Sequence, residues 1–124
     1  MTTREIGDGG ERAAAEYLEE KGYSILARNY CVNEGGYRIG ELDIVASKGE
    51  IVVFAEVKTR KEGSMTTGAE AVDMRKQRRI LRTALLWMMK NECDLQPRFD
   101  VIEVTNMADG SRRLEHIENA FGES

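Results

Sequence analysis

Two neighbouring runs, residues 40–46 and 51–58, place apolar side chains with a period of two around Ser47-Lys48-Gly49-Glu50. That period belongs to strands, so the pair predicts a β-hairpin. Along the first run Leu42, Ile44 and Ala46 share one face, and Glu41, Asp43 and Val45 share the other. With Lys48-Gly49 as a two-residue turn, Glu41 falls opposite Glu56 and Asp43 opposite Phe54. Asp43 and Glu56 are then diagonal neighbours on one face, about 7–8 Å apart at the backbone. The run Ile51-Val52-Val53-Phe54-Ala55 is apolar on both faces, the pattern of a central strand covered on both sides. Glu56 and Lys58 follow it directly, and charge at such a place is costly unless it has a partner. Solvated charges on an edge hairpin are the plainer alternative.

The rest of the chain alternates between helical and strand periods. Residues 10–21 predict a helix ended by Gly22, with Ala14, Ala15, Tyr17 and Leu18 on its apolar arc and Arg12, Glu16, Glu19 and Glu20 facing away. Glu11 falls within the apolar arc, three, four and seven residues before Ala14, Ala15 and Leu18. Two readings stand side by side: a first-turn carboxylate favoured by the helix dipole, or a side chain pointing inward to Asp43 and Glu56. Residues 23–29 predict a strand and 33–38 a loop or turn leading into the hairpin. Residues 59–68 are polar and glycine-bounded, the composition of a mobile flap beside the acids.

Residues 69–90 form the second helical stretch, with Met74, Leu81, Ala84, Leu85 and Met88 as its buried stripe. Arg75, Arg79 and Arg82 form an opposite basic stripe, with Lys76 beside it. After Pro97, residues 98–105 alternate as a strand, with Phe99, Val101 and Glu103 on one face and Asp100, Ile102 and Val104 on the other. A turn at 106–110, a last strand at 112–117 and a Phe121 folded back on the core complete the chain. This order predicts one α/β domain, residues 1–124, with a mixed central β-sheet flanked by helices.

Composition narrows the chemistry. No run is long enough to span a membrane, and the first residues lack the apolar region of a signal peptide, so a cytoplasmic location is expected. Cys31 and Cys93 are expected as free thiols, a bridge between them being the other option. His116 is the sole histidine, which leaves little material for a zinc site or a Ser-His triad. Any metal would be held by oxygen, which favours Mg²⁺ or Mn²⁺. The net charge is −4, yet residues 56–82 carry eight Lys/Arg against four acids. A basic window starting at the acidic cluster would draw a polyanion towards it, although a solvated helix face accounts for the charge equally well.

An acid on the first helix, an Asp on one central strand and Glu-x-Lys on the next resemble the PD-(D/E)xK nucleases of the restriction-endonuclease-like fold. Leu42 stands where that pattern's Pro usually precedes the Asp. Over residues 7–121 the chain more closely resembles the bacterial YraN-like family, predicted endonucleases similar to Holliday junction resolvases. The resemblance rests on Gly10-Glu11-x-x-Ala14, Gly22-Tyr23, Arg28-Asn29-Tyr30, Gly40-Glu41-Leu42-Asp43, Phe54-Ala55-Glu56-Val57-Lys58-Thr59-Arg60, Ala71-Val72, Lys76, Arg98-Phe99-Asp100-Val101 and Asn119-Ala120-Phe121. It implies metal-dependent phosphodiester hydrolysis in DNA, with Asp43, Glu56, the Val57 carbonyl and Glu11 around Mg²⁺ (or Mn²⁺) and Lys58 beside the attacking water. Arg60, Lys61, Arg75, Lys76, Arg79 and Arg82 would hold DNA phosphates, Glu41 would support the site, and junction resolution would require a homodimer. The alternative is a catalytically silent DNA-binding or protein-interaction module on the same fold.

Overall fold

The elements run α1 (Thr3–Glu20), β1 (Ser24–Glu34), β2 (Tyr37–Lys48), β3 (Ile51–Lys61), α2 (Met74–Lys90), β4 (Gln96–Asn106) and β5 (Arg112–Phe121). They come from a computed structural model, which describes residues 3–63 and 72–122, with side chains for 9–63 and 72–122. The strands form one sheet in the order β1-β2-β3-β4-β5. All neighbours are antiparallel except β3 and β4, which run parallel. A parallel pair cannot be closed by a tight turn, and the crossover between β3 and β4 carries α2. This mixed α/β sheet flanked by two helices is the expected class and is compatible with a restriction-endonuclease-like fold.

The helices cover opposite faces of the sheet. Ala14, Ala15 and Leu18 of α1 pack on Ile44, Ala46, Val53, Ala55, Ile102 and Val104. Ile80, Ala84 and Trp87 of α2 pack on Val45, Val52, Phe54, Phe99 and Val101. On the α2 side Phe54 stacks on Phe99 and meets Trp87 edge-on, at centroid distances of 5.4 and 5.8 Å. Phe121 reaches the same cluster against Phe99, as its place in the chain suggested. Val52, Val53, Phe54 and Ala55 are all buried, as a strand covered on both sides must be.

Several boundaries differ from the sequence reading. Helix α1 begins at Thr3 and passes through Gly10, which is a contact rather than a start signal. A Cβ on Gly10 would lie 2.5 Å from Thr59 Oγ1, so the helix crosses β3 closely there. Of the loop or turn expected at 33–38 the structure forms the turn, confined to two residues: β1 continues to Glu34, and Gly35-Gly36, both at positive φ, turn the chain into β2. Residues 59–61 extend β3, while 64–68 of the expected flap and the expected helical start at 69–71 lie outside the described residues.

The β2–β3 turn is Gly49-Glu50, since Lys48 pairs with Ile51. This puts glycine, at φ 58°, at the first central position where primed hairpin turns need it. The ladder then ends at Ile44 opposite Ala55, so Asp43 and Glu56 are the first residues beyond it on their two strands instead of a diagonal pair within it. Leu42 also changes sides. It joins the α2-side core with Val45, whereas Ile44 and Ala46 face α1.

The buried stripe of α2 is Ile80, Thr83, Ala84 and Trp87, spaced i, i+3, i+4 and i+7. Met74 and Leu85, expected inside, are each 61% exposed. Asp73 caps the helix by accepting the Lys76 N–H at 2.9 Å, which leaves Met74 in an outward-facing first turn. Thr83 is tolerated inside because its hydroxyl donates to the Arg79 carbonyl at 2.7 Å.

On the α1 side a polar cluster ties β4 and β5 to α1 and to the start of β1. Asp100, fully buried, accepts from Arg98 Nε and Nη2 at 2.9 and 2.7 Å and from the Asn119 N–H at 3.0 Å. His116 Nε2 lies 2.6 Å from the same carboxylate, and its Nδ1 is 3.0 Å from the Tyr17 hydroxyl. Arg98 Nη2 also donates to the Tyr23 hydroxyl at 2.7 Å. Burial pushes the Asp100 pKa up, but the bonds from His116, Arg98 and Asn119 outweigh it and hold the group below the usual carboxylate range. Both cysteines are free thiols. Among the described residues no helix is long and apolar enough to cross a membrane.

Removing one partner of a buried ion pair costs about 3–5 kcal/mol because the other charge is left uncompensated. Asp100→Ala is therefore expected to lower unfolding free energy by about that amount in urea titrations. A loss below about 1 kcal/mol, the value of an exposed pair, would show that the cluster does not hold the sheet to α1.

Candidate functional site

The apolar run of β3 delivers Glu56 to the place where β2 and β3 part. Glu56 is only 4% exposed, on the same strand face as Phe54. Asp43 sits on the facing strand at the end of the ladder, and its Oδ2 accepts the Val57 N–H at 2.9 Å. The side chain thus takes over as acceptor where the β2 backbone turns away. Lys58, two residues beyond Glu56, is half-buried.

The fourth member comes from α2. Lys76 is i−4 from Ile80 and so projects towards the sheet, with Nζ 3.5 Å from Glu56 Oε1. A cleft of about 360 Å³ opens here, lined by Gly40, Glu41, Asp43, Glu56, Lys76 and Arg79 among others. Helix α2 can approach because residue 40 is glycine: a Cβ there would collide with Thr83 Oγ1 and lie 3.2 Å from Arg79 Cγ.

The electrostatics follow from crowding two acids into a poorly hydrated space. Burial, then the Asp43 charge, push the Glu56 pKa up to about 7, against the pull of Lys76 and Lys58. Asp43 is also raised, chiefly by burial, although the Val57 N–H and both lysines oppose it. Lys58 is lowered by burial first and then by its hydrogen-bond contact with Lys76. Burial would lower Lys76 too, but the bond to Lys58 and the two carboxylates raise it. The two lysines are thus shifted in opposite directions, Lys76 up and Lys58 down.

The other expected site residues are spread more widely. Glu11 is buried on the arc where its spacing placed it, with Oε1 3.7 Å from Arg28 Nε, and it does not line the cleft. Among the described residues no three His, Cys, Asp or Glu side chains come together closely enough to hold a metal ion. The acids assembled here are therefore a pair. Glu41 is exposed and meets Arg38 at 3.5 Å. Arg60, expected on phosphate, is turned to the buried Glu103, with Nε–Oε1 2.7 Å. Lys61, Arg75, Arg79 and Arg82 are exposed.

Sequence reasoning grouped Lys76 with the outward arginines and missed its place in the cleft. The signal was there: Lys76, Ile80, Thr83, Ala84 and Trp87 are spaced for one helix face. It was hidden by taking the Met and Leu residues as the buried stripe.

The raised Glu56 pKa makes stability depend on pH with a definite sign. Between about 4.5 and about 7 the folded protein keeps a proton on Glu56 that the unfolded chain has released. This stability is complete below the lower value and is lost as pH rises through the upper one. Without divalent cations, Glu56→Gln is expected to gain on the parent by up to about 3 kcal/mol between pH 4 and pH 8, measured by urea unfolding. Parallel pH profiles for the two proteins would remove the strain assigned to this carboxylate.

Comparison with known proteins gives a consistent answer. The uncharacterised protein family UPF0102 matches residues 10–104, a span that contains Glu11, Asp43, Glu56, Lys58 and Lys76. A UPF0102 protein of Symbiobacterium thermophilum is 44% identical over 120 residues, covering 96% of this chain and 98% of that protein. One from Porphyromonas gingivalis is 47% identical over 116 residues, covering 93% and 82%. Another, from Geobacter sulfurreducens, is 44% identical over 117 residues, covering 94% and 88%. With its length covered almost end to end, the chain belongs to the UPF0102 family, the YraN-like family that its motifs resemble.

Proposed function

We propose that this protein is a metal-dependent endonuclease of the PD-(D/E)xK type, hydrolysing phosphodiester bonds in DNA. The observation that carries the reading is the Glu56 carboxylate, 4% exposed beside Asp43, with Lys58 two residues along the same strand. Two neighbouring carboxylates whose pKa values are both raised by burial, Glu56 further by the Asp43 charge and Asp43 by that of Glu41, are stabilised by a cation between them. All the donors are oxygens, which suits Mg²⁺ or Mn²⁺, and Mg²⁺ typically takes one or two carboxylates and completes its shell with water and substrate phosphate. A pair of acids therefore fits such an ion.

Asp43, Glu56 and the Val57 carbonyl would hold the ion, with Glu11 acting on it only through water. Bound there, it would polarise a phosphoryl oxygen and lower the pKa of a coordinated water. The chain's own groups supply the rest. Lys58 Nζ, its pKa lowered by burial and by Lys76, would orient the attacking water and help to activate it. Lys61, Arg75, Arg79 and Arg82 would bind backbone phosphates, contacts that position a duplex without reading its sequence. Arg60 is a poorer phosphate ligand than its position suggested, because it would first have to leave Glu103. A structure-specific substrate such as a four-way junction would call for two such sites in a homodimer.

The division of labour between Glu56 and Lys58 is measurable. Glu56→Gln should weaken Mg²⁺ binding in calorimetry, and excess Mn²⁺ should restore part of the cleavage. Lys58→Met should retain metal binding and lose about 10²–10⁴-fold in single-turnover cleavage of branched or linear DNA. A Lys58→Met variant that cleaves as fast as the parent would remove the lysine from the chemistry. A parent that binds DNA and the ion yet cleaves no member of a substrate panel would favour the silent module.

Binding by the basic face is expected to be electrostatic, with each lost phosphate contact reducing the log–log salt slope by about one. The double variant Arg75→Glu, Arg79→Glu should weaken binding to all sequences alike and flatten that slope. Unchanged affinity and slope would place the DNA face elsewhere.

A further inference from the structure

Lys76 does not stand where a simple phosphate-binding residue would. Its ammonium lies 3.5 Å from Glu56 Oε1. That oxygen belongs to the carboxylate that the proposed function assigns to the metal ion. Lys76 also touches Lys58, so two lysines lie within electrostatic reach of the two carboxylates. The backbone at Lys76 is fixed, because its N–H is bonded to Asp73 in the helix cap. The four-carbon stem is not, and the side chain is 37% exposed, so the charged end can swing to the cleft mouth without moving α2.

We propose that Lys76 is the internal counter-cation of the Asp43/Glu56 pair, a positioning residue that yields Glu56 to a divalent ion and turns to a DNA phosphate, so that ion and DNA bind cooperatively. The inference rests on the metal-dependent reading and adds to it the order in which the cleft is filled. At full ionisation Asp43 and Glu56 are balanced by Lys58 and Lys76. Adding a divalent ion to those four groups leaves two excess positive charges in a space that water screens poorly. The ammonium nearest the ion is then repelled from Glu56, and a phosphate at the cleft mouth is the group that restores balance. Arg79, which lines the same cleft, stands beside the place where that phosphate would arrive. The coupling is reciprocal by thermodynamic necessity: whatever factor DNA adds to metal affinity, metal adds to DNA affinity.

The test is binding, not turnover. Mn²⁺ is titrated calorimetrically into the parent, Lys76→Met, Lys76→Gln and Lys76→Arg, with Asp43→Ala marking the site. The affinity of each for a short DNA duplex is then measured with and without Mn²⁺. Lys76→Met and Lys76→Gln are expected to bind Mn²⁺ on the order of tenfold more tightly than the parent in the absence of DNA, because the competing cation is gone. Their gain in duplex affinity on adding Mn²⁺ should be smaller than the parent's. Lys76→Arg, which keeps the charge, should keep the parent's weaker metal binding and its larger coupling. If the parent binds Mn²⁺ at Asp43 and the Met and Gln variants bind it no more tightly, the counter-cation role is wrong and the metal-dependent reading stands. If neither the parent nor these variants bind Mn²⁺, with or without DNA, both fall together.

Discussion

Holding two carboxylates in one poorly hydrated cleft is the constraint around which this structure is arranged. Glu56 is almost wholly shielded from bulk water and Asp43 partly so, and the Asp43 charge opposes ionisation of Glu56. A raise of Glu56 from 4.5 to about 7 corresponds to about 3 kcal/mol, a large share of the roughly 5–15 kcal/mol that holds a domain folded. That is the cost left after the surroundings have reduced it. Val57 gives Asp43 a backbone N–H, Lys76 leans on Glu56 from the facing helix, and glycine at position 40 lets that helix come close enough to do so. The apolar residues of β3 make the arrangement rigid. Val52 and Phe54 are locked under α2 while Val53 and Ala55 are locked under α1, so the strand cannot slip or rotate to release Glu56 into water.

What could be read from the chain, and what could not, follows from the range of the interactions concerned. The central position of β3 was visible because five consecutive apolar residues leave no face for solvent. Glu11 was placed on the buried arc of α1 by a spacing that needs only one turn of helix. Gly22 was placed past the end of the same helix for a similarly local reason, and it takes the positive φ of 94° that this position requires. The hairpin register was misjudged by one turn position, because two glycine-containing turns fit the same four residues. Choosing between them needs the backbone angle at Gly49. Leu42 was misplaced because strict alternation assumes a ladder that continues, whereas β2 leaves β3 after Ile44. The face of α2 was misjudged because hydropathy favours Met and Leu over Thr. Yet Thr83 is the residue that fits against Gly40.

Charge was the least legible property. From the sequence Arg60, Lys61, Arg75, Lys76, Arg79 and Arg82 were one basic group. In the fold they divide three ways: Arg60 is paired with Glu103, Lys76 with Glu56, and the others are exposed. The pairing of Arg60 needs the parallel register of β3 on β4, which sets Lys58 beside Glu103. That contact spans more than forty residues and leaves no local trace. The Asp100 cluster was missed for the same reason. Asp100, His116 and Tyr17 lie on three different elements, and nothing in the spacing of a lone histidine points to either partner.

The two buried acidic centres make an instructive contrast, because the same residue chemistry reaches opposite ends. Asp100 has lost all contact with solvent, yet its pKa is lowered: an arginine fork, an imidazole and a backbone N–H satisfy its oxygens. Glu56 is nearly as deeply buried, yet its pKa is raised by that burial and by the Asp43 charge, since a lysine ammonium at 3.5 Å and the pull of Lys58 do not offset them. Desolvation alone cannot separate the two cases, because it acts on both in the same direction. The difference is in the donors supplied. A fold that needs a carboxylate only as a strut surrounds it as Asp100 is surrounded, and such a group gains nothing from a further cation. A carboxylate left short of donors, facing a second one across an open cleft with mobile cations at its edge, gains a great deal from one. The sign of the shift, taken with the cleft, is therefore the physical ground for looking for function at Asp43 and Glu56 and for structure at Asp100.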